Sequence, residues 1–253
     1  MKRSLKIIIS LIVAVILVAI AAIVGIVIHD YKNKLDATEA LQYCYTAEVN
    51  GHTEMLIKYL RSADSNLSDM CYKCLFYKKW CATECCRIVV YLTSSEMVLN
   101  MSREDKFDII CSLQDIASYA YKLEQSGFNE YVKLISDYNW ATIRGNINEF
   151  NNELLPTAER LLSENSKEPA ICDMICKMFW QQKDYESVIK YASQYTDIAE
   201  WPQRFSMEII KMYHASYWHL ENHSLVDEIE GLSESLFNKT PYDLPYNSIQ
   251  TFF

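Results

Sequence analysis

Residues Ile7 to Ile28 run for 22 positions without a charge, and only Ser10 and Gly25 depart from Ile, Leu, Val and Ala. At 1.5 Å per residue a helix of that length measures about 33 Å, the thickness of a hydrocarbon core of about 30 Å. A run so rich in β-branched Ile and Val is a weak helix former in water. In lipid every backbone polar group has to be bonded within the segment, and helix is then the single-segment solution. A cleaved signal peptide is the rival reading: Lys2, Arg3 and Lys6 form a basic start, and Ala19-Ile20-Ala21 resembles a small-residue cleavage site. The apolar run continues through Ile23 to Ile28 past that site, longer than the roughly 7–15 residues of a signal core, so an uncleaved anchor is expected. Lys2, Arg3, Lys6 and the amino terminus precede the segment, and Lys32 and Lys34 follow it. Counting bases predicts a cytoplasmic N-terminus and an extracytoplasmic remainder. Ala21 and Gly25 form a small-xxx-small pair, read as ordinary small residues on a lipid-facing helix.

About 225 residues remain, enough for one sizeable core. The three bases and no acid of residues 1–28 leave 21 basic and 33 acidic side chains beyond, a net charge of −12. Phosphate backbones repel such a domain, so no nucleic-acid partner is expected. Five glycines and five prolines are too few for a glycine-rich phosphate loop, a turn-rich barrel or a low-complexity chain.

Beyond the anchor, helix-period stretches dominate and no alternating strand pattern of useful length appears. Apolar positions Ile171, Met174, Ile175, Met178 and Phe179 lead to the polar turn Gln181-Gln182-Lys183-Asp184, then to Tyr185, Val188, Ile189, Ala192 and Tyr195. Pro169 suits the start of the first helix and Asp184 can cap the second. Similar helix–turn–helix units centre on Asn50-Gly51-His52, Gln125-Ser126-Gly127 and Glu221-Asn222-His223. Turn centres at Gly145, Lys183 and Asn222 lie 38 and 39 residues apart, and Gly51 and Gly127 lie 76 apart. A ragged period of that length belongs to helical solenoids.

The stretch Met178 to Ala192 resembles the helix junction of tetratricopeptide-like repeats. Cys172, Ile175, Cys176 and Phe179 fall on first-helix positions, and Tyr185, Val188, Ala192 and Tyr195 on second-helix positions. Ala40, Tyr43, Cys44 and Ala47 match the first set again. Cys44 and Cys176 stand where the repeat has a small Gly, and its proline after the second helix is out of register. The resemblance spans about residues 37–237 as degenerate copies and implies stacked hairpins with a concave surface for peptides or proteins; generic helical hairpins are the alternative.

The expected fold is thus all-α: one N-terminal transmembrane helix, then a solenoid-like array of antiparallel helical hairpins. The boundaries are a basic N-terminus (1–6), the transmembrane helix (7–28), a juxtamembrane linker (29–36), the helical-repeat domain (37–237) and a Pro/aromatic tail (238–253). In the tail, Tyr242, Tyr246, Phe252 and Phe253 are expected to dock on the last hairpin.

Chemistry-bearing residues are plentiful but not arranged for catalysis. Five of nine cysteines fall in Cys71–Cys86: Cys71, Cys74, Cys81, Cys85 and Cys86. Their i,i+3 and i,i+4 spacings put pairs on shared helix faces. They suit buried packing first, disulfides second and a four-thiolate zinc site third, because zinc pairs favour Cys-x2-Cys turns. His219 and His223 are i,i+4 without the Glu of a zinc protease. His29 and His52 suit interfacial and turn positions. Acid pairs such as Asp64–Asp69 and Glu228–Glu230 have no neighbouring nucleophile, and no serine sits in a Gly-x-Ser-x-Gly setting. Sequons at Asn66, Asn100, Asn222 and Asn238 matter only in a lumenal eukaryotic domain. No catalytic, cofactor-binding or metal-ligating residue is therefore assigned, and no cofactor is expected. The expected role is a non-catalytic membrane-anchored scaffold whose partners are the bilayer, through residues 7–28, and a protein or peptide with a basic segment. The alternative is a thiol or metal module built on Cys71–Cys86.

Overall fold

A computed structural model of the chain describes residues 2–146, 148–164, 169–193, 203–221, 226–239 and 241. The described residues are helical, with no strand among them. Two compact units, residues 1–129 and 130–253, divide the chain, and the boundary falls inside one helix.

The first helix, α1 (Lys2–Val49), is continuous from the basic N-terminus through the apolar run and on for 21 residues beyond it. Among the described residues nothing covers the apolar window of α1, and this one N-terminal helix is long and apolar enough to span a membrane. Residues 29–36, expected as a linker, simply continue this helix. The reason is packing: from Asp30 onward one face of α1, through Ala37, Ala40, Leu41, Cys44 and Ala47, is buried against α2 (Thr53–Lys73).

The turn between α1 and α2 is the one expected. His52 N–H donates to Ala47 O at 2.9 Å and Gly51 N–H to Glu48 O at 3.0 Å, a Schellman closure that needs the left-handed φ of 70° at Gly51. α2 therefore returns antiparallel along α1. After the turn Cys74–Tyr77 come α3 (Lys78–Thr93), the single turn α4 (Glu96–Leu99) and α5 (Arg103–Leu123). Ser95 and Ser102 cap the latter two, accepting from Val98 N–H at 3.4 Å and Asp105 N–H at 3.1 Å. α5 packs on both α2 and α3. Leu56, Leu60, Leu67 and Met70 of α2, Ile88 and Leu92 of α3, and Ile109, Leu113 and Ile116 of α5 are fully buried. Deleting one such Leu or Ile side chain to Ala costs about 2–5 kcal/mol.

The second unit holds most of α6 (Gly127–Arg144), a π-helical turn (Phe150–Leu154) running into α7 (Leu155–Glu164), α8 (Pro169–Gln181), α9 (Tyr185–Ala192), α10 (Gln203–His219) and α11 (Val226–Phe237). Its core gathers Leu134, Phe150, Leu161, Ile171, Ile175, Met178, Val188 and Ile209. The α8–α9 hairpin follows the sequence reading: Pro169 opens α8, and Asp184 Oδ1 accepts Ser187 N–H at 3.1 Å. α10 packs on both helices of that hairpin, and α11 on α10. The proposed docking of Tyr242, Tyr246, Phe252 and Phe253, and the turn at Asn222 and His223, lie outside the described residues.

Candidate functional site

In the first unit, a groove of about 660 Å³ opens along α3. Its floor is one helix stripe, Thr83, Cys86, Arg87, Val90, Tyr91 and Ser94, at the i, i+3, i+4, i+7, i+8 and i+11 positions of a single face. The opposite wall is the α5–α6 connection, with Glu124, Ser126, Phe128 and Asn129.

Local chemistry holds that wall. Ser126 Oγ accepts Asn129 N–H at 3.2 Å, capping α6. The buried Asn129 amide donates to Glu124 O at 2.8 Å and Ala120 O at 3.3 Å. Its Oδ1 accepts the Cys86 thiol at 3.2 Å, tying the connection to α3. Burial pushes that thiol up to about 11, so Cys86 is a protonated donor at neutral pH and a poor nucleophile. On the other flank, Tyr91 OH donates to Glu48 Oε2 and Ser95 Oγ to Glu48 Oε1, both at 2.5 Å. The Glu48 bond, first, and burial, second, raise the Tyr91 phenol. Tyr45 meets the Tyr91 ring edge-on at 4.9 Å.

The groove is thus rigid at its base and apolar at its mouth. Val90 is 42% exposed and Phe128 59% exposed, while Arg87 (bonded to Glu84 at 2.7 Å) and Glu124 set opposite charges on the rim. A groove of this volume, with Val90 and Phe128 set among Thr83, Arg87, Ser94, Glu124 and Ser126, has room for a side chain or a short helical or extended segment. It contains no paired acid and base within reach of a nucleophile. Of these ten residues the sequence singled out Cys86, as part of the cysteine cluster, and Ser126, as part of a turn, but not the groove, because its walls come from segments about 40 positions apart and the α3 stripe mixes polar and apolar types.

The cysteine cluster gathers around Cys81, which Cys71, Cys74 and Cys85 each approach, but no three of these thiols lie within 4.8 Å of one another among the described residues. Cys71, Cys74, Cys81, Cys85 and Cys86 are all buried. Cys85 is hydrogen-bonded to Cys81, and that contact together with burial drives it far up; Cys81 Sγ approaches Leu67 O at 3.8 Å. Cys71 and Cys74 are raised chiefly by burial. Cys74 also lies at the exit of the apolar span. There His29, Asp30 and Cys74 bring three potential ligand atoms within 4.8 Å of one another. Asp30 Oδ2 is already taken by two backbone N–H groups, Leu75 and Phe76, each at 2.8 Å. Cys74 Sγ accepts from Asn33 Nδ2 at 3.3 Å. The geometry is that of a polar clamp on the α2–α3 turn.

The remaining residues singled out in the sequence are dispersed. His52 stands at the N-cap of α2 without a side-chain bond. His214 is buried 3.1 Å from Glu230 Oε1, and His219 stacks on Tyr185 at 4.3 Å. Asp69 pairs with Lys73 at 2.6 Å, whereas Asp64 faces Tyr119 and Asp115 of α5. No family model matches the chain, and neither a curated protein nor a solved structure is found to be similar to it.

Proposed function

We propose that this chain is a non-catalytic binding protein, held at the bilayer by residues 7–28, that receives a segment of a partner protein in the α3 groove. The observation that carries this reading is the exposure of Val90 and Phe128 on facing walls of a groove whose base is hydrogen-bonded into place. An apolar side chain of the partner seats between them. Glu124 and the net charge of −12 beyond the anchor favour a partner segment bearing Lys or Arg. The tetratricopeptide-like character of the α8–α9 stretch and of Ala40–Ala47 supports a holding role in stacked, degenerate hairpins.

Continuity of α1 supports an uncleaved anchor: cleavage after Ala21 would leave Ile23 to Ile28 as an apolar helix end in water. The excess of Lys and Arg before the span supports a cytoplasmic N-terminus and an extracytoplasmic remainder. The opposite orientation is the second reading, favoured by nine cysteines that are all free thiols, the state a reducing compartment maintains.

A photo-crosslinking amino acid at Phe128, in the full chain in its own membrane, tests the groove. The expected result is one discrete adduct that the same probe at exposed Val49 does not form and that Val90→Asp abolishes. Identical adducts at both positions, or none at Phe128, would overturn the groove as the binding site.

A further inference from the structure

The antiparallel return of α2 brings a second apolar feature to the membrane. Asp30 lies two residues past Ile28, about 3 Å further along the helix axis. Its carboxylate holds Leu75 N–H and Phe76 N–H at 2.8 Å. The α2–α3 turn is therefore fixed at the level where α1 leaves the hydrocarbon, within the interfacial layer of headgroups. Among the described residues, the two side chains it presents stay open to solvent: Leu75 is 64% exposed and Phe76 42%.

Around this turn the side chains are of the interfacial type. The rings of Tyr31 and Tyr77 lie 6.3 Å apart. Lys34 Nζ sits 4.9 Å from the Tyr77 ring and 5.2 Å from the Trp80 ring. Aromatic residues with an apolar body and a polar edge concentrate at membrane–water boundaries, and lysines extend from them to the headgroups. Lys32, Lys73, Lys78 and Lys79 are exposed at the same end. Of the acids nearby, Asp30 is committed to the turn and Asp69 to Lys73, while Asp36 is exposed, so Lys32, Lys78 and Lys79 are the lysines left to face headgroups. A basic, aromatic end on a domain of net −12 is a local reversal of charge.

We propose that the α2–α3 turn is a second membrane contact, in which Leu75 and Phe76 enter the acyl–headgroup boundary beside α1 and the surrounding lysines engage anionic lipid headgroups. The inference rests on the reading of α1 as a spanning anchor. Two attachments, one spanning and one interfacial, then hold the first unit in one pose on the bilayer instead of leaving it to swing on a single helix.

Tryptophan probes in the full chain, reconstituted into phosphatidylcholine vesicles, separate the two readings. Leu75→Trp, Val18→Trp and Val49→Trp place an added indole at the turn, inside the span and at the far end of the α1–α2 hairpin. Far-UV circular dichroism identical to the parent verifies that each variant is folded. Phosphatidylcholine brominated near the headgroup end of its chains is expected to quench the added emission of Leu75→Trp and leave Val49→Trp unquenched; chain-end bromines are expected to quench Val18→Trp. A quenched Val18→Trp with an unquenched Leu75→Trp overturns the interfacial contact and spares the anchor. Loss of quenching at both overturns the anchor and the inference with it. Equal quenching at Leu75→Trp and Val49→Trp overturns a specific contact at the turn. Adding phosphatidylglycerol is expected to deepen Leu75→Trp quenching, and the double change Lys78→Glu, Lys79→Glu to reverse that gain. Quenching unchanged by anionic lipid overturns the role given to the lysines.

Discussion

Asp30 and Phe76 stand 46 positions apart in the chain and are joined by a 2.8 Å hydrogen bond from the Phe76 backbone to the Asp30 carboxylate. The bond, repeated by Leu75, fastens the segment of α1 just past its apolar run to the far end of α2. Asp30 is 1% exposed. Burial by itself would raise its carboxyl, but the N–H groups of Phe76 and Leu75 outweigh it, and the group lies below the usual range. A lowered carboxyl contributes stability above its unfolded value and loses it as pH falls through the folded one.

Asp30→Ala leaves the part-buried N–H groups of Leu75 and Phe76 without their acceptor and is expected to cost the first unit about 1 kcal/mol. Asp30→Asn keeps an acceptor oxygen and is expected to cost less. Thermal unfolding of the full chain in detergent, followed by circular dichroism, checks the order. Equal midpoints for the two variants would remove the clamp from the account of stability.

Asp64 works in the opposite direction and in a higher pH window. Burial raises it, a hydrogen bond from Tyr119 opposes the rise, and the charge of Asp115 adds to it, leaving the carboxyl at about 6. A carboxyl raised from 3.8 binds its proton more tightly in the folded state, so stability falls as pH climbs between those values. Asp64→Asn is expected to stabilise the chain by about 1–2 kcal/mol near neutral pH, after allowance for its partial exposure. The gain should shrink toward zero below about pH 4.5. A gain that does not vary with pH would place its origin elsewhere.

Lys183 closes α8 with the same Schellman bonds that Gly51 supplies to α1: Asp184 N–H reaches Phe179 O and Lys183 N–H reaches Trp180 O, both at 3.0 Å. Its φ is 60°, a left-handed conformation that costs a side chain energy. Lys183→Gly is expected to raise stability by about 0.5–1 kcal/mol, and Gly51→Ala to lower it by about 1 kcal/mol. Denaturant midpoints of the two variants against the parent decide the sign.

Burial raises the thiols across both units: Cys44 is pushed up to about 12 and Cys86 to about 11. In the second unit Cys172 is raised by its bond to Cys176 and by burial. Of the nine cysteines only Cys111 is partly exposed. Thiol titration of the purified chain at neutral pH is expected to find at most Cys111 in the folded state and all nine after unfolding, with or without reductant. A count that rises with reductant would establish disulfides. Stoichiometric zinc released on unfolding would restore the metal reading of Cys71–Cys86.

The turns and helix starts were legible because each is a local event. Gly51 in its left-handed turn, Ser126 before α6, Asp184 before α9 and Pro169 at the start of α8 act on backbone groups within one helical turn of themselves. The apolar run was legible for a similar reason: its length and composition are contained in one continuous segment and need no contact with another to be read. The groove was not legible, since Val90 and Phe128 acquire meaning only when the α5–α6 connection is laid on α3, and the Cys86–Asn129 bond that does this spans 43 positions.

By itself the sequence determined that the chain is helical, that residues 7–28 form an apolar segment of membrane length, and that most cysteines go to helix faces. Hydropathy period, caps and chain composition suffice for these, because they are set by interactions between near neighbours or with the solvent. Only the tertiary structure decided that residues 29–36 continue α1 instead of forming a linker, that the contacts divide the chain near residue 129, and that Leu75 and Phe76 stand beside the exit of the span. Those outcomes depend on which buried faces pair, and face pairing is chosen by shape and hydrogen-bond satisfaction summed over distant segments, which no single stretch of sequence contains.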